Sequence, residues 1–312
     1  MAEEQRPRGP GRPRKTKPIE VCAGNVGCCD TPKDPENVLE MVYDNPLLFK
    51  KLMALYKKYD LNELTFCFEQ DRVELRLRNE KGKCTLHTTL YGRMMSRYYC
   101  AEPMVRTVKR DNLDKIFKSK DKNYPQVTFI LRRDDSRSKL YIMLYSEEVE
   151  SQLQYTEDLI PETGAVLGPA EIPDDYHLQF ELPSGHFKKL IGDISASNAK
   201  AFNIKKDGSG PVDVGYQDVG RSDLAATYPN KAKINLVTQM LPDDIFNITI
   251  PIAYVKPFSD AHIGKTVKII ASKFRPFVVV SDIDALRYAR ADGTIVEGPA
   301  CRLQLSAEIN HS

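Results

Sequence analysis

Lysines recur in this 312-residue chain in patterns that suit phosphate contact rather than catalysis. Lys50, Lys51, Lys57 and Lys58 share one stretch, Lys115 and Lys118 a second, Lys188 and Lys189 a third, and Lys256 stands in a fourth. An ammonium on a flexible stem neutralises a phosphate as a point charge and reads no base edge, so such clusters fit sequence-independent binding of nucleic acid. At about 100° per residue, Lys50 and Lys57 lie opposite Leu48, Leu52, Leu55 and Tyr59. Lys115 lies opposite Leu113, Ile116 and Phe117, and Lys189 opposite Phe187, Leu190, Ile191 and Ile194. Any one such face is more simply a solvated helix back. Three of them, with the acids gathered elsewhere, favour phosphate contact.

A second basic element is Pro10-Gly11-Arg12-Pro13-Arg14-Lys15. Arg12 and Arg14 flank a proline that keeps the peptide extended, the shape that enters the narrow, electronegative minor groove of A·T tracts, as in an AT-hook. The alternative is a generic basic tail or an import signal. Six of the seven basic residues in 1–40 fall at positions 6–17, whereas 151–176 has no basic residue and six acids. Residues 41–150 carry 22 basic and 16 acidic residues, so a net charge of only +2 hides a positive face, a negative strap and a basic tail.

Other chemistry is weakly supported. Cys22, Cys28 and Cys29 lack paired CxxC spacing and a nearby histidine, so no metal site is expected. The Pro-Asp-Asp sequences at 173–175 and 242–244 lack the downstream Asp/Glu-x-Lys tripeptide of a metal-dependent nuclease. The five histidines are scattered, with no nucleophile at motif spacing and no Gly-rich phosphate loop, so neither an enzyme nor a cofactor is expected. An odd, scattered set of seven cysteines reads as reduced thiols. No apolar run approaches the roughly 20 residues of a membrane span, and no apolar leader is visible, so an intracellular protein with no membrane partner is expected.

The elements that must carry these residues read as an α+β chain of two helix–strand domains. Residues 1–40 are expected to be disordered, 41–157 to form domain 1, 158–175 a Pro/Gly-rich connector, and 176–312 domain 2, with folding starting at Tyr43. Asn45 and Pro46 predict a helix over 46–59, Asp111 one to about 119, Pro183-Ser184 one to about 195, and a fourth is expected near 253–262, interrupted by Pro257. Strand patterns include 149–157, 231–238 and 245–250. Phe49-Lys50-Lys51-Leu52 recurs as Phe187-Lys188-Lys189-Leu190, and the second helices share nearly that offset, so the chain is an internal duplication.

Leu182-Pro183-Ser184-Gly185-His186-Phe187 through Asp193-Ile194-Ser195, Phe274-Arg275-Pro276-Phe277-Val278-Val279 and Phe49-Lys50-Lys51-Leu52 together resemble motifs of the DNA sliding clamps of the proliferating-cell-nuclear-antigen class. The opening from Tyr43 to Lys50, with its basic tail, resembles the clamp-like proteins of large DNA viruses most. The resemblance implies a clamp fold and a homotrimeric six-domain ring around double-stranded DNA, with the lysine helices lining the hole. It implies a polymerase processivity factor that tethers replication and repair enzymes through short peptide motifs, at a viral replication site in host cytoplasm or nucleus. It further implies a partner pocket near Leu159, Ile160, Val166, Leu167 and Pro276. The subunit interface would join an edge at 149–157 (Gln152, Gln154, Tyr155) to one at 231–239 (Ile234, Leu236). Gly192 and Asp260 stand where cellular clamps carry basic channel residues, which implies a weaker hold on DNA in domain 2. The rival reading is a monomeric AT-hook factor whose body is an interaction module.

Overall fold

A computed structural model describes residues 27–44, 46–79, 81–118, 124–146, 148, 150–161, 167–168, 172, 174–218, 221–229, 231–289 and 295–309. The first half runs β1 (Asn37–Tyr43), α1 (Pro46–Lys58), β2 (Glu63–Phe68), β3 (Arg72–Arg78), β4 (Cys84–Tyr91), β5 (Arg97–Cys100), β6 (Met104–Lys109), α2 (Arg110–Lys118), β7 (Gln126–Arg132), β8 (Lys139–Ser146) and β9 (Ser151–Asp158). The second runs β10 (Leu178–Pro183), α3 (Ser184–Ala196), β11 (Ala201–Asp207), β12 (Val212–Asp218), β13 (Arg221–Tyr228), β14 (Val237–Thr238), β15 (Ile245–Pro251), α4 (Ile252–Ala261), β16 (Thr266–Ala271), β17 (Phe277–Ala289) and β18 (Ile295–Ala307).

Among the described residues these strands form three sheets, ordered β5-β1-β7-β8-β9, β13-β12-β11-β15 and β14-β10-β16-β17-β18-β4-β3-β2-β6. The last draws on both halves, which meet where β18 pairs antiparallel with β4. The helices make one continuous row, α2–α1–α4–α3. The repeated tetrapeptide occupies equivalent places in α1 and α3. Phe49 and Leu52, like Phe187 and Leu190, point into the core. Phe49 stacks on Phe117 at 5.2 Å and meets Phe129 at 5.2 Å, locking α1 and α2 onto the five-stranded sheet.

Four expectations are corrected. Ordered chain does not begin at Tyr43. β1 starts at Asn37 and lies inside its sheet between β5 and β7, with Leu39 and Met41 fully buried. Glu40 breaks the apolar pattern of this strand, yet it is buried because four donors satisfy it: the Lys33 and Asp34 amides, Asn37 Nδ2 at 2.7 Å and Arg97 Nε at 2.6 Å. Burial pushes its carboxyl up, but those hydrogen bonds outweigh it and hold the group below the usual glutamate range. Residues 231–238 are not a full strand but a 3-10 turn over Ala232–Ile234 followed by two-residue β14. Asn235 in the left-handed region (φ 46°) makes that break. α4 continues through Pro257 rather than stopping there. Cys29 is disulfide-bonded, whereas Cys28, Cys67, Cys84, Cys100 and Cys301 remain thiols. Asn45, the expected cap of α1, and Cys22 lie outside the described residues.

Candidate functional site

The lysine faces survive folding because each helix spends its apolar face on the sheets. In α1 the buried residues are Pro46, Leu48, Phe49, Leu52, Met53, Leu55 and Tyr56, which leaves Lys51, Lys57 and Lys58 exposed and Lys50 half-exposed. Lys57 and Lys58 fall in its last turn, where the carbonyl ends favour cations. In α2, Leu113, Ile116 and Phe117 are buried while Lys115 and Lys118 are exposed. In α3, Lys188 and Lys189 are exposed over buried Phe187, Leu190 and Ile191. Lys51, Lys57, Lys115, Lys118, Lys188 and Lys189 have no ion pair among the described residues. The row therefore brings lysines of both halves onto one helical layer.

The joint between the halves differs. Asp260 of α4 lies 3.1 Å from Lys256 Nζ one turn away and 3.6 Å from Lys58 Nζ of α1. Beside it the Tyr59 hydroxyl donates to the Tyr254 carbonyl at 2.6 Å. Lys256 is thus the one expected DNA contact on α4, and a carboxylate already holds it. Arg12 and Arg14 lie outside the described residues.

Described residues of the connector touch the nine-stranded sheet at separate points. The Leu159 amide donates to the Ser138 carbonyl and the Ile160 amide to the Thr107 carbonyl of β6, both at 2.8 Å. Further along, Arg76 of β3 donates to the Leu167 carbonyl at 3.0 Å. Arg76 is itself held by Glu74 at 2.7 Å and Glu69 at 3.2 Å. The connector then reaches Asp175, which pairs with Arg275 at 3.0 Å. Between its end and the start of β17 opens a cavity of about 700 Å³ lined by Ile172, Asp174, Asp175, Arg275, Pro276, Val278 and Ser306. Of the residues expected near a partner pocket, Pro276 lines this cavity and Leu159, Ile160 and Leu167 do not. Leu159 is buried and the Ile160 backbone bridges Thr107 of β6, so both tie the connector to the first half. Val166 lies outside the described residues.

Apolar side chains flank this cavity. Ile270, Val278 and Val280 cluster with Tyr176 on the sheet, and Phe274, next in the chain to Arg275, is 79% exposed. His177 sits 5.8 Å from the Phe274 ring and 5.3 Å from Phe246. Burial and the nearby Lys273 lower its pKa against the opposing pull of Asp244 and Asp175. Ile172, Val278 and Ser306 were missed in the sequence, although the position of Ile172 before Pro-Asp-Asp could have suggested it.

Six strands end the three sheets among the described residues, and the two longest are β9 and β13, each eight residues long. On β9, Gln152 and Gln154 are exposed and Tyr155 is half-buried. Residues 231–239 offer only a short edge, the two-residue β14 at the end of the nine-stranded sheet. Ile234 is 6% exposed within its own chain, Leu236 packs on the core, and β14 lies against β10. The longest open edge there is β13, with eight residues against seven in β15 at the other end of its sheet.

The chain superposes on the proliferating cellular nuclear antigen from Entamoeba histolytica with a TM-score of 0.70, covering 88% of this chain and 100% of that one at 12% identity. Curated relatives include an uncharacterized protein of African swine fever virus, known from several isolates. The form from the Tick/Malawi isolate is 25% identical over 295 residues, covering 92% of this chain and 96% of the relative. The Badajoz strain form is 25% identical over 294 residues with the same coverage. No family model matches. The chain has the clamp fold of proliferating cell nuclear antigen. Among the described residues, no helix is long and apolar enough to cross a membrane.

Proposed function

We propose that this chain is a DNA sliding clamp, a non-enzymatic processivity factor for a DNA polymerase. The observation that carries the reading is the single row of four helices, which turns lysines from both halves toward one side of a clamp fold. Three copies close a six-domain ring when β9 of one copy adds to β13 of the next. Both are antiparallel edges of equal length, and the contact closes because it is heterologous with a fixed rotation. Double-stranded DNA passes through the hole, held by mobile lysine–phosphate contacts that prefer no base and so permit sliding. Replication and repair enzymes dock short peptide motifs in the cavity of Ile172, Pro276 and Val278, and Arg12 and Arg14 add a tether in the minor groove. The place of action is the viral replication site within a host cell.

Light scattering across a dilution series tests the ring directly. The expected species has three times the 35.4 kDa of one chain, and it is retained better on circular than on linear duplex. A single-chain mass at every concentration, with DNA binding lost when residues 1–18 are removed, replaces the ring with the monomeric AT-hook reading.

A further inference from the structure

We propose that Asp260 is a built-in counter-ion that weakens the clamp's hold on DNA at the joint between its halves. The inference rests on the DNA-facing role of the helix row and deepens it. Asp260 is 30% exposed and touches both cations of the joint: Lys256 at 3.1 Å on its own helix and Lys58 at 3.6 Å across the α1–α4 contact. Lys58 and Lys256 are themselves 47% and 40% exposed, so a phosphate can reach them. Lys51, Lys57, Lys115, Lys118, Lys188 and Lys189 have no carboxylate this close among the described residues.

The trio therefore presents one net positive charge where two lysines alone would present two. A DNA phosphate approaching either ammonium competes with a carboxylate that is already in place and also meets its repulsion. Fewer counter-ions leave the DNA at this point, and the affinity at low salt is lower. For a protein that must move along the duplex, one weak point in the lysine row limits drag without removing the rest of the electrostatic hold.

Asp260→Asn keeps the size and hydrogen-bonding oxygen of the side chain and removes its charge. With a short fluorescent linear duplex as probe, log affinity against log salt should steepen by about 0.9, one further phosphate contact. Over a fourfold rise in salt, D260N then loses about 3.5-fold more affinity than the parent chain. The gain disappears when Lys58→Met and Lys256→Met are added. Asp282→Asn removes a carboxylate that pairs with Arg302 on the sheet face beside Ile172 of the connector and should change nothing. Matching native masses and melting temperatures show that each variant is folded.

A D260N slope equal to the parent's, in a parent that binds with a steep slope, overturns this inference and leaves the DNA reading intact. An equal gain in D282N also overturns it, because the effect is then general charge. A parent that shows no salt-dependent binding overturns both.

Discussion

Replacing Lys57, Lys115 and Lys118 together by alanine is the most direct probe of the helix row. All three are exposed on α1 and α2 and make no ion pair among the described residues, so their removal takes away cations without leaving a buried partner behind. Each lysine that meets a phosphate displaces one condensed counter-ion, which sets about 0.9 of the slope of log affinity on log salt. Losing three contacts should flatten that slope by about 2.7. Between about 50 and 200 mM salt, a fourfold range, the parent should therefore lose about fortyfold more affinity than the variant. Exposed changes of this kind shift stability by only about 0.5 kcal/mol, so the thermal midpoint and the native mass should stay put. Fluorescence anisotropy on a mixed-sequence duplex at three salt concentrations reads the slopes. Parallel lines for parent and variant, with oligomer and melting intact, would refute the claim that this layer faces DNA.

Ile172→Ser with Pro276→Ser should cut affinity for a partner peptide at least about tenfold by calorimetry, on the scale of losing apolar burial from two side chains, while the native mass is unchanged. Thr156→Lys on β9 with Ala225→Lys on β13 places charge on both open edges, a device that blocks strand addition, and light scattering should then report single chains. Glu40→Gln should destabilise the fold by about 1–3 kcal/mol at neutral pH, through the loss of charge-assisted hydrogen bonds from Arg97 and the Lys33 and Asp34 amides. Because the folded state holds this carboxyl below its usual range, the stabilisation is complete above that range and is lost as pH falls through the folded value. Urea titrations should accordingly show the gap between E40Q and parent closing in acid.

The helices were legible because their signals are local. Pro46 and Pro183-Ser184 mark their starts, lysine-backed apolar faces run through them, and the Phe-Lys-Lys-Leu repeat falls at equivalent places in α1 and α3. What escaped depends on distant partners. β1 was hidden by Glu40, whose burial makes sense only once Arg97 and the 33–37 turn arrive. β13, Arg-Ser-Asp-Leu-Ala-Ala-Thr-Tyr, has little strand propensity of its own and exists by pairing with β12. The spacing of Ile234, Leu236 and Val237 imitates a strand, but Ile234 turns inward from a 3-10 turn to fill the core. Leu159 is buried in the core and the Ile160 backbone bridges Thr107 of β6, placements set by the register of a bridge that no local pattern announces.

Seven consecutive residue pairs tie β18 to β4, from Cys301 opposite Leu90 to Ala307 opposite Cys84, and the α1–α4 contact backs that seam from the helical side. The two halves of one chain are therefore welded, and parting them means shearing a ladder and exposing Leu303 and Leu305, which are fully buried. In the proposed ring, bending strain would concentrate instead where only the two eight-residue edges β9 and β13 meet. The place at which such a ring cracks open to admit a duplex is thus chosen by architecture before any loading enzyme acts. A ring of three has three candidate doors, none of them inside a subunit.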